Sequence, residues 1–179
     1  GLDSGVTSRN SRVYDPGFYQ LPNHSHRYRN WNRQGDGWVD MRLAIARSND
    51  TYFYDLAHKL GIDRMHDFMS QFGLGTRVSL DMFEESPGLM PSREWKRNAR
   101  RQPWYPGETL ITGIGQGYML TSPLQLAQSI ALVANRGVWK RPRLLKDAEG
   151  CLRRKRTRRI TSSSEMTTTG TLLPPPWKM

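Results

Sequence analysis

The chain has 179 residues, 36% of them hydrophobic, a mean hydropathy of −0.71 and a formal net charge of +11, which suits one modest soluble domain and excludes two large ones. No run approaches the roughly 18–20 apolar residues of a membrane span, the N-terminus has no basic-then-apolar signal pattern, and the single cysteine, Cys151, excludes an internal disulfide framework and a four-thiolate metal site. The charge is a poor argument for nucleic acid, because residues 151–179 hold seven Lys or Arg against Glu165 alone, more than half of the excess.

Residues 1–39 are rich in Gly, Pro, Asn, Ser and aromatic residues. Turn signals at Asp15-Pro16-Gly17, Leu21-Pro22-Asn23 and Gly35-Asp36-Gly37 predict extended, loop-rich structure. Val39, Leu43 and Ala46, then Tyr52, Leu56, Ala57 and Leu60, recur at helical spacing. This predicts two consecutive helices with a break near Ser48, the second stopped by Gly61. A third helix follows from Asp63, a candidate N-cap, through Met65, Phe68, Met69 and Phe72 to Gly73. Residues 74–108, punctuated by Ser86-Pro87-Gly88, Pro91, Pro103 and Pro106, are expected to be irregular with one short helix. A short apolar segment at 110–114 then runs into Gly113-Ile114-Gly115-Gln116-Gly117. Ser122-Pro123-Leu124-Gln125 opens the best-marked helix, with Ser122 as cap, proline at the first helical position and Gln125 completing a capping box. Its buried face is predicted to be Ala127, Ile130, Ala131 and Ala134, and its end Asn135-Arg136-Gly137.

The tail from Cys151 is Arg-rich, then Ser/Thr-rich, and closes on Pro174-Pro175-Pro176, a composition typical of disorder. Codons compatible with residues 159–179, read two bases further along, can spell a globular-looking segment containing YWDL and AMED. A frameshift near Gly150 is therefore expected, with residues 1–150 as a partial domain and 151–179 as an aberrant tail.

Chemistry could reside at Ser48-Asn49-Asp50, because a helix start directs polar side chains and free amides to one spot. From spacing alone, Ser48 or Asp50 serves equally well as a plain helix cap. A wider pattern bears on the choice. The run Ser48-Asn49-Asp50-Thr51-Tyr52-Phe53-Tyr54 is followed by Leu60-Gly61-Ile62-Asp63 and Phe72-Gly73-Leu74-Gly75. Asp15-Pro16-Gly17, Arg29-Asn30-Trp31, Met90-Pro91-Ser92-Arg93-Glu94-Trp95-Lys96, Gly113-Ile114-Gly115-Gln116-Gly117-Tyr118 and Thr121-Ser122-Pro123-Leu124-Gln125 stand in matching order around them. Over residues 1 to about 150 this resembles the penicillin-binding protein 2 family of class B peptidoglycan transpeptidases.

The resemblance implies an α+β fold of the penicillin-binding, serine β-lactamase-like type, an antiparallel sheet flanked by helices, of which this segment is mostly helical. It implies a serine-type D,D-transpeptidase that cross-links peptidoglycan stem peptides through an acyl-enzyme and is acylated by β-lactam antibiotics. Ser48 would relay a proton and orient a lysine, and Asp50 would bond that lysine or the substrate amide. Asn49, Gly115, Gln116 and Gly117 would bind substrate. Implied partners are a RodA-type glycan polymerase and other elongation-complex proteins. The implied location is an inner-membrane anchor with a periplasmic catalytic domain, the anchor being absent from this chain. No cofactor and no nucleic acid are expected.

The 179 residues contain neither Ser-x-x-Lys nor Lys-Ser/Thr-Gly. The first motif is expected upstream of Gly1, and the segment alone is expected to be inactive and marginally stable, because a covalent route needs the acylated serine. Some relatives bind zinc through Asp, Asp, His and Cys at positions matching Asp15, Asn30, Asp36 and Asn49. The oxygen-rich set present here is expected not to keep zinc. His24-x-His26 is a weak metal signal, and His58 and His66 are expected to be partly exposed helix residues. The glycines at 113–117 have the wrong spacing for a dinucleotide fingerprint. The basic stretch at 93–104, with Trp95 and Trp104, supports an alternative: a non-catalytic module binding nucleic acid or anionic glycan.

Overall fold

The computed structural model describes residues 1–146 and the strand Arg158–Arg159. The tail reading and the proposed frame change lie otherwise outside the described residues.

Residues 1–39, expected to be loop-rich, contain short antiparallel strands. β1 (Arg12–Asp15) pairs with β4 (Gly37–Asp40) in the register Arg12 to Asp40 and Asp15 to Gly37. β2 (Phe18–Gln20) pairs with β3 (Arg27–Arg29). Between β1 and β2 the chain reverses at Asp15-Pro16-Gly17. There Gly17 donates its N–H to Asp15 Oδ1 at 2.8 Å, and its positive φ of 93° and a position where a Cβ would lie 2.2 Å from the Arg33 carbonyl oxygen leave room for glycine alone.

The helices begin at Met41. α1 (Met41–Arg47) starts on Asp40, whose carboxylate accepts from Leu43 N–H at 2.9 Å, and ends as predicted at Ser48. α2 (Asp50–Leu60) follows after one intervening residue, capped by Asn49 and stopped at Gly61. Tyr52 and Tyr54 are two residues apart and so point to opposite sides of α2. Tyr52 joins Val39 and Ala44 in one buried cluster, whereas Tyr54 joins Leu21 and Leu110 in another. α2 is therefore the central element, with the β1–β4 ribbon and α1 on one side and the β2–β3 ribbon on the other.

α3 (Ile62–Ser70) is capped by Gly61 and not by Asp63, which lies inside the first turn. Its carboxylate pairs instead with Arg93 at 2.9 Å. α4 (Arg93–Arg100) is the expected short helix, capped by Ser92. A further helix, α5 (Pro106–Gly113), replaces the apolar segment. Pro106 is its first residue, and Glu108 accepts from the Tyr105 N–H at 2.8 Å. Gly113 brings α5 directly onto α2, since a Cβ there would fall 2.3 Å from the Ala57 Cβ.

α6 (Pro123–Ala134) has the predicted Ser122 cap and capping box. Its buried face is different: Gln125, Gln128 and Leu132 are buried, while Ala127 and Ala134 are exposed and Ile130 is 69% exposed. The helix is apolar around most of its circumference, so periodicity could not select a face. Gln125 is drawn inward because its Nε2 donates to the carbonyls of Thr76 and Pro87, both at 2.7 Å. β5 (Val138–Trp139) then pairs with β6 (Arg158–Arg159). The whole is mixed α and β, mostly helical.

Candidate functional site

Ser48 lies at the α1–α2 junction, exposed, with left-handed backbone angles of φ 51° and ψ 49°. That conformation is uncommon for a residue with a Cβ and ends α1 abruptly. The next residue, Asn49, returns to extended geometry, and its Oδ1 accepts from Tyr52 N–H at 2.9 Å to open α2. Both helix boundaries are thus made within two residues.

Ser48 and Asp50 line one cavity of about 760 Å³ together with Trp31, Asn32, Asp36, Ala46 and Arg47. Trp31 forms a wall of it. The indole Nε1 donates to the Arg47 carbonyl at 2.8 Å, and the Trp31 N–H donates to Asp50 Oδ2 at 3.2 Å. Burial raises the pKa of the Asp50 carboxyl above its ordinary value, with the negative charge of Asp15 adding and the Trp31 N–H opposing. Asp50 is therefore a carboxyl with a higher proton affinity than a surface aspartate, next to an exposed serine hydroxyl.

Asn49 is placed differently from the expectation. It is 0% exposed, both ends of its amide are engaged inside the fold, and it does not line the cavity. Gly115, Gln116 and Gly117 form an exposed turn at the end of α5 and do not line the cavity. Gly113 rests against Phe53 and Ala57, which puts the turn about 5–10 Å along the α2 axis from its first residue. Sequence reasoning did not single out Trp31 and Arg47 as site residues. Trp31 was legible only as part of the Arg29-Asn30-Trp31 landmark.

Beneath Ser48 and Asp50 lies a polar knot. Asp15 is 1% exposed and Asn30 2%. Asp15 Oδ2 accepts from Asn30 Nδ2 and Asn49 Nδ2, each at 2.6 Å, and from the Asp36 N–H at 3.1 Å. Its Oδ1 accepts from Thr51 Oγ1 at 2.7 Å and from the Gly17 N–H. Asn49 Nδ2 also donates to Asp36 Oδ2 at 3.0 Å, and Arg47 pairs with Asp36 Oδ1 at 2.8 Å. The Asn49 bond is the largest influence holding the Asp36 carboxyl below its ordinary pKa. Burial opposes it, and Arg47 and Asn32 add to it. The four positions that the resemblance matches to a zinc set, Asp15, Asn30, Asp36 and Asn49, thus do converge, but two of them present amide N–H groups to the centre. That set does not fit zinc, which favours nitrogen lone pairs and thiolates. Among the described residues, no three His, Cys, Asp or Glu side chains are grouped to hold a metal ion.

The other motifs are structural. His58 bonds the Tyr19 hydroxyl at 2.8 Å, and His66 is half-buried against the carbonyls of Met90 and Pro91. The basic stretch at 93–104 is mainly helix, and Lys96 is 1% exposed, paired with Glu108 and 4.5 Å from the Tyr105 ring centre. A lysine committed in this way offers nothing to a nucleic acid.

The profile of the penicillin binding protein transpeptidase domain family matches residues 1–171. The peptidoglycan D,D-transpeptidase MrdA of Escherichia coli K12 is 42% identical over 144 residues, which is 80% of this chain and 23% of that protein. The Acinetobacter baumannii MrdA is 43% identical over 150 residues, 84% of this chain and 22% of that protein. Among solved structures, Pseudomonas aeruginosa PBP2 in complex with WCK 5153 superposes with a TM-score of 0.81 at 70% identity, covering 83% of this chain and 32% of that one. Helicobacter pylori PBP2 in complex with MreC gives a TM-score of 0.71 at 30% identity, covering 79% and 28%. The chain spans under a quarter of the length of these curated relatives.

Proposed function

This chain belongs to the penicillin-binding protein transpeptidase domain family, and we propose that it is the middle of the catalytic domain of an elongation-type peptidoglycan D,D-transpeptidase. The observation that supports this best is the exposed Ser48 at a helix junction, sharing a cavity with Asp50 and Trp31.

In this reading a serine from a Ser-x-x-Lys segment outside these 179 residues attacks the carbonyl carbon of a stem peptide's terminal amide. A serine hydroxyl needs a neighbouring base to take its proton, and the departing amine must receive one. Ser48 relays that proton and orients the lysine. Asp50, with its raised proton affinity, bonds the lysine ammonium or the substrate amide. An amine of a second stem peptide then attacks the acyl ester, and the serine leaves. A β-lactam forms the same ester with its ring opened. Asn49 supports Ser48 and Asp50 from below, and the Gly115-Gln116-Gly117 turn bounds the substrate groove on the α5 side.

The proposed partners are peptidoglycan stem peptides, β-lactams, a RodA-type glycan polymerase and other elongation proteins, among them one of the MreC kind. The proposed location is the periplasmic side of the inner membrane. Among the described residues no helix is long and apolar enough to cross a membrane. The alternative of a basic nucleic-acid or glycan module is not supported, since the family match accounts for the chain and Lys96 is buried.

Labelled penicillin tests the reading on a full-length transpeptidase carrying this segment. Ser48→Ala is expected to slow acylation about a hundredfold, the scale of a lost proton-transfer group, with the thermal midpoint unchanged. Acylation at the parent rate would remove Ser48 from the mechanism. Nucleotide reads across the codon for Gly150 test the proposed frame change.

A further inference from the structure

The knot around Asp15 carries an inference of its own, independent of the transpeptidase reading except in what it supports. Its amide orientations are fixed by groups that can only donate. Asn49 Oδ1 accepts from the Tyr52 backbone N–H, and Asn30 Oδ1 accepts from the Asp50 backbone N–H at 3.2 Å. Turning either amide over would set an N–H against an N–H. Both Nδ2 groups must therefore face inward, where they meet Asp15 and, for Asn49, Asp36 as well.

The centre of the knot is thus two buried carboxylates bridged by one amide nitrogen. Buried carboxylates drawn together need positive charge or strong donors between them. A divalent cation is one solution. Here the donors are the two asparagine amides, the Thr51 hydroxyl and the backbone N–H groups of Gly17 and Asp36, with Arg47 balancing the outer face of Asp36. A cation placed at the centre would meet the positive ends of both amides.

We propose that this knot is a metal-independent staple, in which Asn49 and Asn30 do by hydrogen bonding what a divalent cation does between carboxylates, and so hold the Ser48–Asp50 corner on the β1–β4 ribbon. Asn49 is its switch position. Asn49→Asp keeps the N-cap, because aspartate caps as well as asparagine, but replaces an inward donor with a third carboxylate facing Asp15 and Asp36. Three carboxylates around one point are a site for a hard cation. The staple would then become cation-dependent.

The test uses the full-length protein carrying this segment and reads metal content and thermal midpoint, neither of which depends on acylation. After dialysis the parent protein is expected to hold no stoichiometric metal, and EDTA, CaCl2 or ZnCl2 should leave its midpoint unchanged. Asn49→Asp should melt about 5 °C or more below the parent, and CaCl2 or ZnCl2, but not NaCl of equal ionic strength, should recover at least half of the loss. Asn49→Ser, which keeps a cap but supplies no third carboxylate, should fall without recovery. One bound metal per parent chain, or a parent midpoint lowered by EDTA, would overturn the proposal. So would an Asn49→Asp variant that melts with the parent in the presence of EDTA. If that variant does not fold, the metal and chelator measurements on the parent still decide. A failed staple with normal penicillin acylation would leave the transpeptidase reading standing.

Discussion

The Asp15 knot and helix α6 both bury polar side chains, with opposite results. In the knot every side-chain donor and acceptor finds a partner, and all of those partners come from residues 15–52. In α6, Gln125 is satisfied, but Gln128 Nε2 is buried with no hydrogen-bond partner among the described residues. On the other side of the same helix Leu126, Ile130 and Val133 are 50%, 69% and 63% exposed. The first region is complete within this segment. The second leaves an amide unpaired and an apolar face open to solvent. Polar satisfaction and coverage of apolar surface are therefore separate properties here, contrasted at opposite ends of the chain.

The largest expected effect tests the completeness of the knot. Asp15→Ala leaves two amides, a hydroxyl and two backbone N–H groups facing a hole, and should cost about 3–5 kcal/mol in chemical denaturation. A cost near that of an ordinary surface substitution would mean that water or side-chain relaxation satisfies these groups and that the knot is not the anchor.

Acid unfolding makes the comparison finer, because the two carboxyls at the site shift in opposite directions. Asp36 is held low, chiefly by Asn49, so its stabilisation is present above the ordinary aspartate value of 3.8 and is lost as pH falls through its lower folded value. Asp50 is raised, chiefly by burial, so its contribution is greatest in acid and is lost as pH rises through its folded value. Asp36→Asn should accordingly flatten the loss of stability below about pH 4, whereas Asp50→Asn should flatten the region just above it. Identical profiles for the two variants would show that they do not differ in environment.

The smallest effect concerns α6. Ile130→Gln should change the stability of the isolated segment by no more than about 0.5 kcal/mol, as at other exposed sites. In the full-length protein the same substitution should cost about 1–3 kcal/mol if neighbouring elements cover that face. Equal effects in both contexts would show that the face stays open and would dissolve the contrast.

How much of this was legible follows from where each signal resides. Ser122-Pro123-Leu124-Gln125 carries its cap in local chemistry, and α6 begins where predicted. The α1–α2 break at Ser48 falls where expected, although the first apolar stripe is not a helix face: Val39 belongs to β4, Ala46 is exposed, and Ala44 is the buried residue of α1. Strands of three or four residues such as Arg27-Tyr28-Arg29 offer too short a period, and their pairing is set by contacts distant in sequence. α5 was missed although Pro106 and Glu108 occupy the positions of a helix start. Pro103 and Pro106 also carry loop signals, and the helix runs across the boundary between the proline-punctuated stretch and the apolar segment. Asn49 carries a substrate-binding role only through the resemblance; its burial follows from residues distant in sequence, Asp15 and Asp36, which no local pattern around Ser48-Asn49-Asp50 announces. The burial of Lys96 and Gln128 depends on partners far along the chain, and no local pattern announces it.

The contact between Gly113 and Ala57 fixes a spacing. It joins two helices with no layer of side chains between them, so the offset between Ser48 at one end of α2 and the turn beginning at Gly115 is determined by helical rise and backbone contact. The connection from Gly61 to Tyr105, which contains α3, α4 and two irregular stretches, returns to α5 through the Lys96–Glu108 pair. Any side chain at position 113 larger than hydrogen would therefore push the corner and the turn apart.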